Sequence, residues 1–296
     1  MKKYIIITLL AILALTVQAQ ETIKIVPKFK VGQKMLYHVR LENEDRASLS
    51  DSSYTNKGAS FDFDIEVVVK LKIAEGWKIS SVLKNIKMDV GGKSAFEDGM
   101  VRAFGMENAV ADSKTMLKSF ENHVFHLTLN KEGKFLRYDN KKELDGFIYS
   151  CQKRIYISAI SGFYKTLNEK VPANLGKEFD QRYAKNPKKG EMLKSCDMYR
   201  TYVGIHNGDI YQLGESFPKS INRSVTKDDS GIFITENFEY LDAYVKEEAG
   251  RGKYGTKYNR EYRFDKNCIL QSSVNEEIET SSLGVSISRE IVSLVK

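Results

Sequence analysis

The sequence predicts an α+β fold: a large curved antiparallel β-sheet, open or rolled into a half-barrel, with two helical segments packed on one face. Three observations predict it. Long stretches alternate apolar and polar residues with period two, as half-buried antiparallel strands do. Two other stretches carry helical spacing and fall between groups of strands. The aromatics are 16 Tyr and 15 Phe against a single Trp, a mix that suits sheets.

Residues 1–19 stand apart from that fold. Met1-Lys2-Lys3 is a positive start, residues 4–17 (YIIITLLAILALTV) are an uncharged, mainly apolar run, and Val17-Gln18-Ala19 is a small-x-small cleavage site. Together they predict a secretory signal peptide cut after Ala19, hence an exported chain, periplasmic or secreted. A membrane span needs ~20 apolar residues, which neither this run nor any later one reaches. No cysteine near the cut offers a lipid anchor.

The strongest strand signal is residues 61–73 (FDFDIEVVVKLKI). Phe61, Phe63, Ile65, Val67, Val69, Leu71 and Ile73 fall on one face and Asp62, Asp64 and Glu66 on the other. A Glu75-Gly76 turn leads into residues 77–90, whose apolar phase shifts between Ile79/Leu83 and Ile86/Met88, which predicts a bulge. Residues 94–120 carry Phe96, Met100 and Phe104 at helical spacing. A hairpin of residues 123–130 and 134–138 follows, with Gly133 in its loop. Asn140 and Glu143 make a capping-box-like start to a second helix. Its stripe is Leu144, Phe147, Ile148, Cys151 and Ile155, and it ends before Pro172.

A stretch near 171–194, with Pro172, Gly176, Pro187 and Gly190, is the predicted break if residues 20–296 form two lobes rather than one domain. Beyond it, residues 198–205 and 210–213 flank Asn207-Gly208, the strongest two-residue hairpin signal. Residues 231–243, 254–264, 269–280 and 285–295 alternate as strands.

The hydrophobic share of 42% and charged share of 29% are those of a globular chain, and exclude a disordered, collagen-like or polytopic membrane protein. Loss of residues 1–19 removes two lysines, so the formal charge falls from +7 to +5 over 277 residues. No concentrated basic stripe accompanies that charge, and export also argues against nucleic acid. No metal, cofactor or nucleophile motif is present. His123 and His126 are three apart on a predicted strand and point to opposite faces. Gly91-Gly92-Lys93-Ser94 lacks the first glycine of a phosphate loop. Asp62, Asp64 and Glu66 share a face at a spacing that two catalytic carboxylates could use, but a solvated face with lysines opposite explains them. In residues 254–264, Tyr254, Tyr258, Tyr262 and Phe264 are placed toward the core and the interleaved cations toward water.

The cysteines number three, and an exported chain favours one pair and one leftover. Cys151 and Cys196 are the predicted pair; three free, buried thiols are the alternative.

Residues 17–20 (VQAQ), 29–37 (FKVGQKMLY) and 262–272 (YRFDKNCILQS) together resemble uncharacterised exported proteins of Bacteroidota, with Cys268 where those carry glycine. The resemblance implies no activity. Some exported proteins with helices in a curved sheet resemble lipoprotein carriers, which bind acyl chains.

Three functions stay open. The first is a non-enzymatic binding protein, since six long strands present more apolar face than two helices cover. A gap left there would be lined by Phe61, Phe63, Val67, Phe147 and Ile148 and suit an apolar or extended small molecule. The second is an envelope interaction module that pairs by strand edges. The third is a hydrolase built from scattered carboxylates.

Overall fold

The computed structural model of the chain describes residues 21–49, 52–89, 111–112, 115, 118–186, 193–194, 196–213, 221–240, 255–281 and 284–295. The predicted signal peptide and most of the predicted helical segment 94–120 lie outside them; within that segment, residues 111, 112, 115, 118 and 119 are helical. Among the described residues no helix is long and apolar enough to cross a membrane.

The strands are β1 (Thr22–Lys24), β2 (Lys34–Leu49), β3 (Ser52–Lys72), β4 (Gly76–Asp89), β5 (Val124–Asn130), β6 (Phe135–Tyr138), β7 (Ile210–Gln212), β8 (Ile221–Lys227), β9 (Gly231–Tyr240), β10 (Gly255–Asp265), β11 (Leu270–Ser281) and β12 (Gly284–Leu294). Ten of them form one open antiparallel sheet in the order β6-β5-β4-β3-β2-β12-β11-β10-β9-β8. Strands from before and after residues 171–194 meet in it where β12 pairs with β2.

The alternation in β3 sets the sheet's two faces. Phe63, Ile65, Val67 and Val69 are at most 1% exposed. The register puts Val39 opposite Phe63, Tyr37 opposite Ile65 and Met35 opposite Val67, so one apolar face continues from strand to strand. Burying each such side chain is worth ~1.5–3 kcal/mol, which outweighs any single contact on the other face. There Asp62 and Asp64 sit opposite Lys87 and Lys84, and Lys84 reaches Glu66 at 2.8 Å. His38 reaches Asp64 at 2.9 Å. The acidic row is a paired, water-facing surface. The bulge expected in β4 is present: Asn85 has φ +54°, and the register shifts opposite Asp62 and Asp64. Gly133, with φ +81°, closes the β5–β6 hairpin as expected.

Helix α1 (Lys141–Thr166) buries Leu144 and Ile148 in this core, while Phe147, Cys151 and Ile155 are half-buried. Asn140 precedes it but makes no cap to the helix backbone. Its amide accepts from the His126 N–H at 3.0 Å and donates to the Val124 carbonyl at 2.9 Å, tying the helix start to β5 instead.

Two readings of local structure are corrected. Within the predicted break lies a helix, α2 (Leu175–Lys185), whose Leu175 and Phe179 are buried at i, i+4. Phe179 stacks on Tyr183 at 5.6 Å and meets Tyr149 and Tyr156 of α1, so an aromatic cluster overrides the loop composition. Residues 199–203, read as a strand, form a π-helix (Tyr199–Val203). Asp197 starts it: its side chain accepts the Arg200 N–H at 3.2 Å and its carbonyl accepts the Thr201 hydroxyl at 3.0 Å. The Asn207-Gly208 turn exists, with Gly208 at φ +77°, but β7 beyond it pairs with β1.

Candidate ligand-binding site

The apolar face of the sheet changes character along its strands. One transverse row, Val225, Ile234, Tyr262, Ser273, Val292, Val39 and Phe63, is in register across seven strands, and all of it is buried. The next row on the same face, two residues along, is Arg223, Glu236, Arg260, Asn275, Glu290, Leu41 and Phe61. Charge therefore enters a face that the first row seals with hydrocarbon.

A cleft of about 460 Å³ lies over this second row. Its apolar wall is Leu41, Tyr202, Ile205, Tyr258 and Tyr262, and its polar floor includes Arg260, Asn275 and Glu290. That volume falls within the usual range for small-molecule sites. The wall opposite the sheet comes from the π-helix segment, where Tyr202 packs edge-on against Phe63 at 5.7 Å. Burial pushes the Tyr262 and Tyr202 hydroxyls up to about 12, so both stay protonated donors.

The row divides its charges unevenly. Arg223 pairs with Glu236 at 2.6 Å. Asn275 donates its amide to Glu290 at 2.7 Å, and burial raises the Glu290 carboxyl above its ordinary range. The Asn275 carbonyl oxygen is buried with no hydrogen-bond partner. Arg260 forms no ion pair among the described residues. Its guanidinium lies over Phe238 at 5.1 Å and Tyr258 at 5.4 Å, and those rings stack on each other at 4.4 Å.

Behind the π-helix lies a second cleft of about 440 Å³, lined by Lys134, Phe135, Lys194, Tyr199, Arg200 and Asn207 among others; Thr201 and Ile205 border both clefts. Arg200 sits over the Phe135 ring at 4.2 Å and donates to the Tyr138 hydroxyl at 3.2 Å. Tyr138 donates in turn to Asp197 at 2.9 Å. Asp197 is pushed up to about 6 by burial, against those bonds.

Of the five residues expected to line a gap, Phe63, Val67 and Ile148 are buried core, and Phe61 and Phe147 pack partly buried against it. None of the five lines either cleft. Phe63 packs against Tyr202, while Phe147 stacks on His123 at 4.3 Å and meets Phe120 at 4.9 Å. Phe61 stands beside Leu41 in the cleft's own row. The cysteines are free thiols in the structure, Cys151 facing the Ser119 hydroxyl at 3.9 Å. Cys151 is near enough to Cys196 to add to the rise that burial imposes on that thiol, up to about 11. No cluster of metal-ligating side chains occurs among the described residues.

Sequence reasoning placed Arg260 with the water-facing cations. Parity was the signal that could have found it, since Tyr258, Arg260 and Tyr262 share a face at i, i+2, i+4. Tyr202 and Ile205 carried no such signal, because their segment reads as a strand.

No family model matches the chain, and no curated protein matches it. Among solved structures, one reported under the words "lipid-protein interactions in lipovitellin" is similar over 91% of this chain and 26% of that one, with 9% identity and a TM-score of 0.38. The chain thus spans about a quarter of that protein's length.

Proposed function

We propose that this is an exported, non-enzymatic binding protein that holds an apolar or extended small molecule against the inner face of its sheet, the sheet curving around it. The observation that carries the reading is the cleft of about 460 Å³ where Leu41, Tyr202, Ile205, Tyr258 and Tyr262 gather on the core face. Apolar surface left toward water costs ~25 cal/mol per Å², and an apolar occupant would recover it. The site proposed from the sequence moves one row along the strands, because the π-helix already covers Phe63.

Native mass spectrometry of the exported protein, followed by organic extraction, tests the reading. A co-purifying lipid-like mass, and binding of a fluorescent fatty acid that Ile205→Arg abolishes, are expected. An apo mass alone, with an empty extract and no probe binding, would overturn it. The open sheet supports a second reading, an envelope interaction module: among the described residues β8 pairs with β9 on one side and with no strand on the other, and that edge can take a partner's strand.

A further inference from the structure

We propose that the cleft takes an amphiphile with a single anionic headgroup, carboxylate or phosphate, which Arg260 receives while the chain lies along Leu41, Tyr202 and Ile205. The proposal rests on the cleft being a ligand site and adds the ligand's class. Its basis is the way the surrounding arginines are satisfied. Arg223 has Glu236 at 2.6 Å, and Arg289 has Glu276 at 2.8 Å with Glu44 at 3.7 Å. Arg260 makes no ion pair and no hydrogen bond among the described residues; its contacts are the rings of Phe238 and Tyr258, and Glu290 of the same cleft acts on it only through space.

The register explains why no internal carboxylate pairs with it directly. Its neighbours in the row are Glu236, which is committed to Arg223, and Asn275, whose amide is committed to Glu290. Of the other carboxylates on the cleft, Glu277 lies opposite Tyr258 and accepts its hydroxyl, and Glu290 feels Arg260 without touching it. A guanidinium that is half withdrawn from water and left without a contacting anion is costly, and a bound anion lowers that cost. The geometry also suits the task. A guanidinium lying over ring faces keeps its N–H edge free, and that edge matches a carboxylate or phosphate in two parallel bonds. The aliphatic and aromatic wall next to it has no use for a small, fully hydrated anion. It fits a hydrocarbon tail. Glu290 would draw a cationic headgroup, but the Asn275 amide already occupies its carboxylate and Arg260 faces the same space.

The test is competition against a fluorescent acyl probe, using dodecanoic acid, dodecyl phosphate, dodecanol, acetate and inorganic phosphate below micellar concentrations. A charge-assisted bond predicts that the acid and the alkyl phosphate bind ~10–100-fold more tightly than the alcohol. Arg260→Gln should bring both down to the level at which the same variant binds the alcohol, and Arg260→Lys should restore part of the difference. Acetate and inorganic phosphate should not compete. Unfolding midpoints and circular dichroism show that the variants are folded. Equal binding of acid and alcohol, or an Arg260→Gln variant that still prefers the acid, overturns the headgroup assignment and leaves the cleft reading standing. Competition by acetate or inorganic phosphate at the acid's own concentration overturns the amphiphile in favour of a small anion. Failure of every probe overturns both readings.

Discussion

Asp197 is an acid whose fold works against its charge. Burial raises it from 3.8 to about 6, although the Tyr138 hydroxyl and the Arg200 N–H both favour the ionised form. An acid raised on folding binds its proton more tightly in the folded chain, so stability falls as pH rises from about 4 through about 6. The shift caps this contribution at about 3 kcal/mol. Asp197→Asn is expected to flatten that part of the curve, read as urea midpoints at pH 4, 5, 6 and 7 for parent and variant; parallel curves would sink the assignment. The cysteines give a second outcome. Cys151 and Cys196 are neighbours whose thiols burial holds protonated, so joining them needs a thiol–disulfide oxidoreductase rather than air alone. After such treatment one bridged 151–196 peptide is expected, with buried Cys268 unreacted, and the bridge should add ~4 kcal/mol in the chain-entropy account. Three alkylatable thiols would refute the pairing. All three residues were visible in the sequence as types. What set their chemistry, burial beside Tyr138 in one case and the meeting of a helix with a distant turn in the other, was not.

Elements with strict periodicity were legible, and the ones that misled were those in which tertiary partners replaced local ones. Residues 61–73 read correctly because period two ties each side chain to a face regardless of neighbours. Residues 199–203 alternate too weakly to resist Asp197, which supplies their first backbone bonds and leaves a π-turn as the wall of two clefts. The β3–β4 turn shows how a single backbone position can decide an element. Gly76 has φ +153°, and a Cβ there would stand 2.3 Å from the Leu129 carbonyl oxygen and the Asn130 carbonyl carbon of β5. Gly32 has φ +82° with nothing within 4 Å of the same position. Gly76→Ala should therefore cost roughly 3 kcal/mol or more, from strain and overlap together, whereas Gly32→Ala should cost ~1 kcal/mol from strain alone. Chemical denaturation of the two variants checks the contrast, and equal losses would contradict it.

The whole sheet depends on its most distant pairing. Tyr37 of β2 lies opposite Leu294 of β12, and without that seam the strands on either side would be separate sheets with raw edges. Pairings this far apart in sequence close late and fold slowly. Deletion of residues 284–296 is expected to abolish the cooperative thermal transition and to cause aggregation through the bared edges of β2 and β11, seen by circular dichroism and light scattering. A cooperative melt near the parent's would show instead that the halves stand alone. The sequence by itself determined the strand-rich class, the faces of most long strands, the bulge at Asn85 and the helix that buries Leu144 and Ile148, because each follows from local periodicity or from a backbone conformation. Only the tertiary structure decided the strand order, the π-helix over Phe63 and the row that isolates Arg260. Each of these depends on which residues lie opposite one another across strands, and register is a property of partners far apart in the chain.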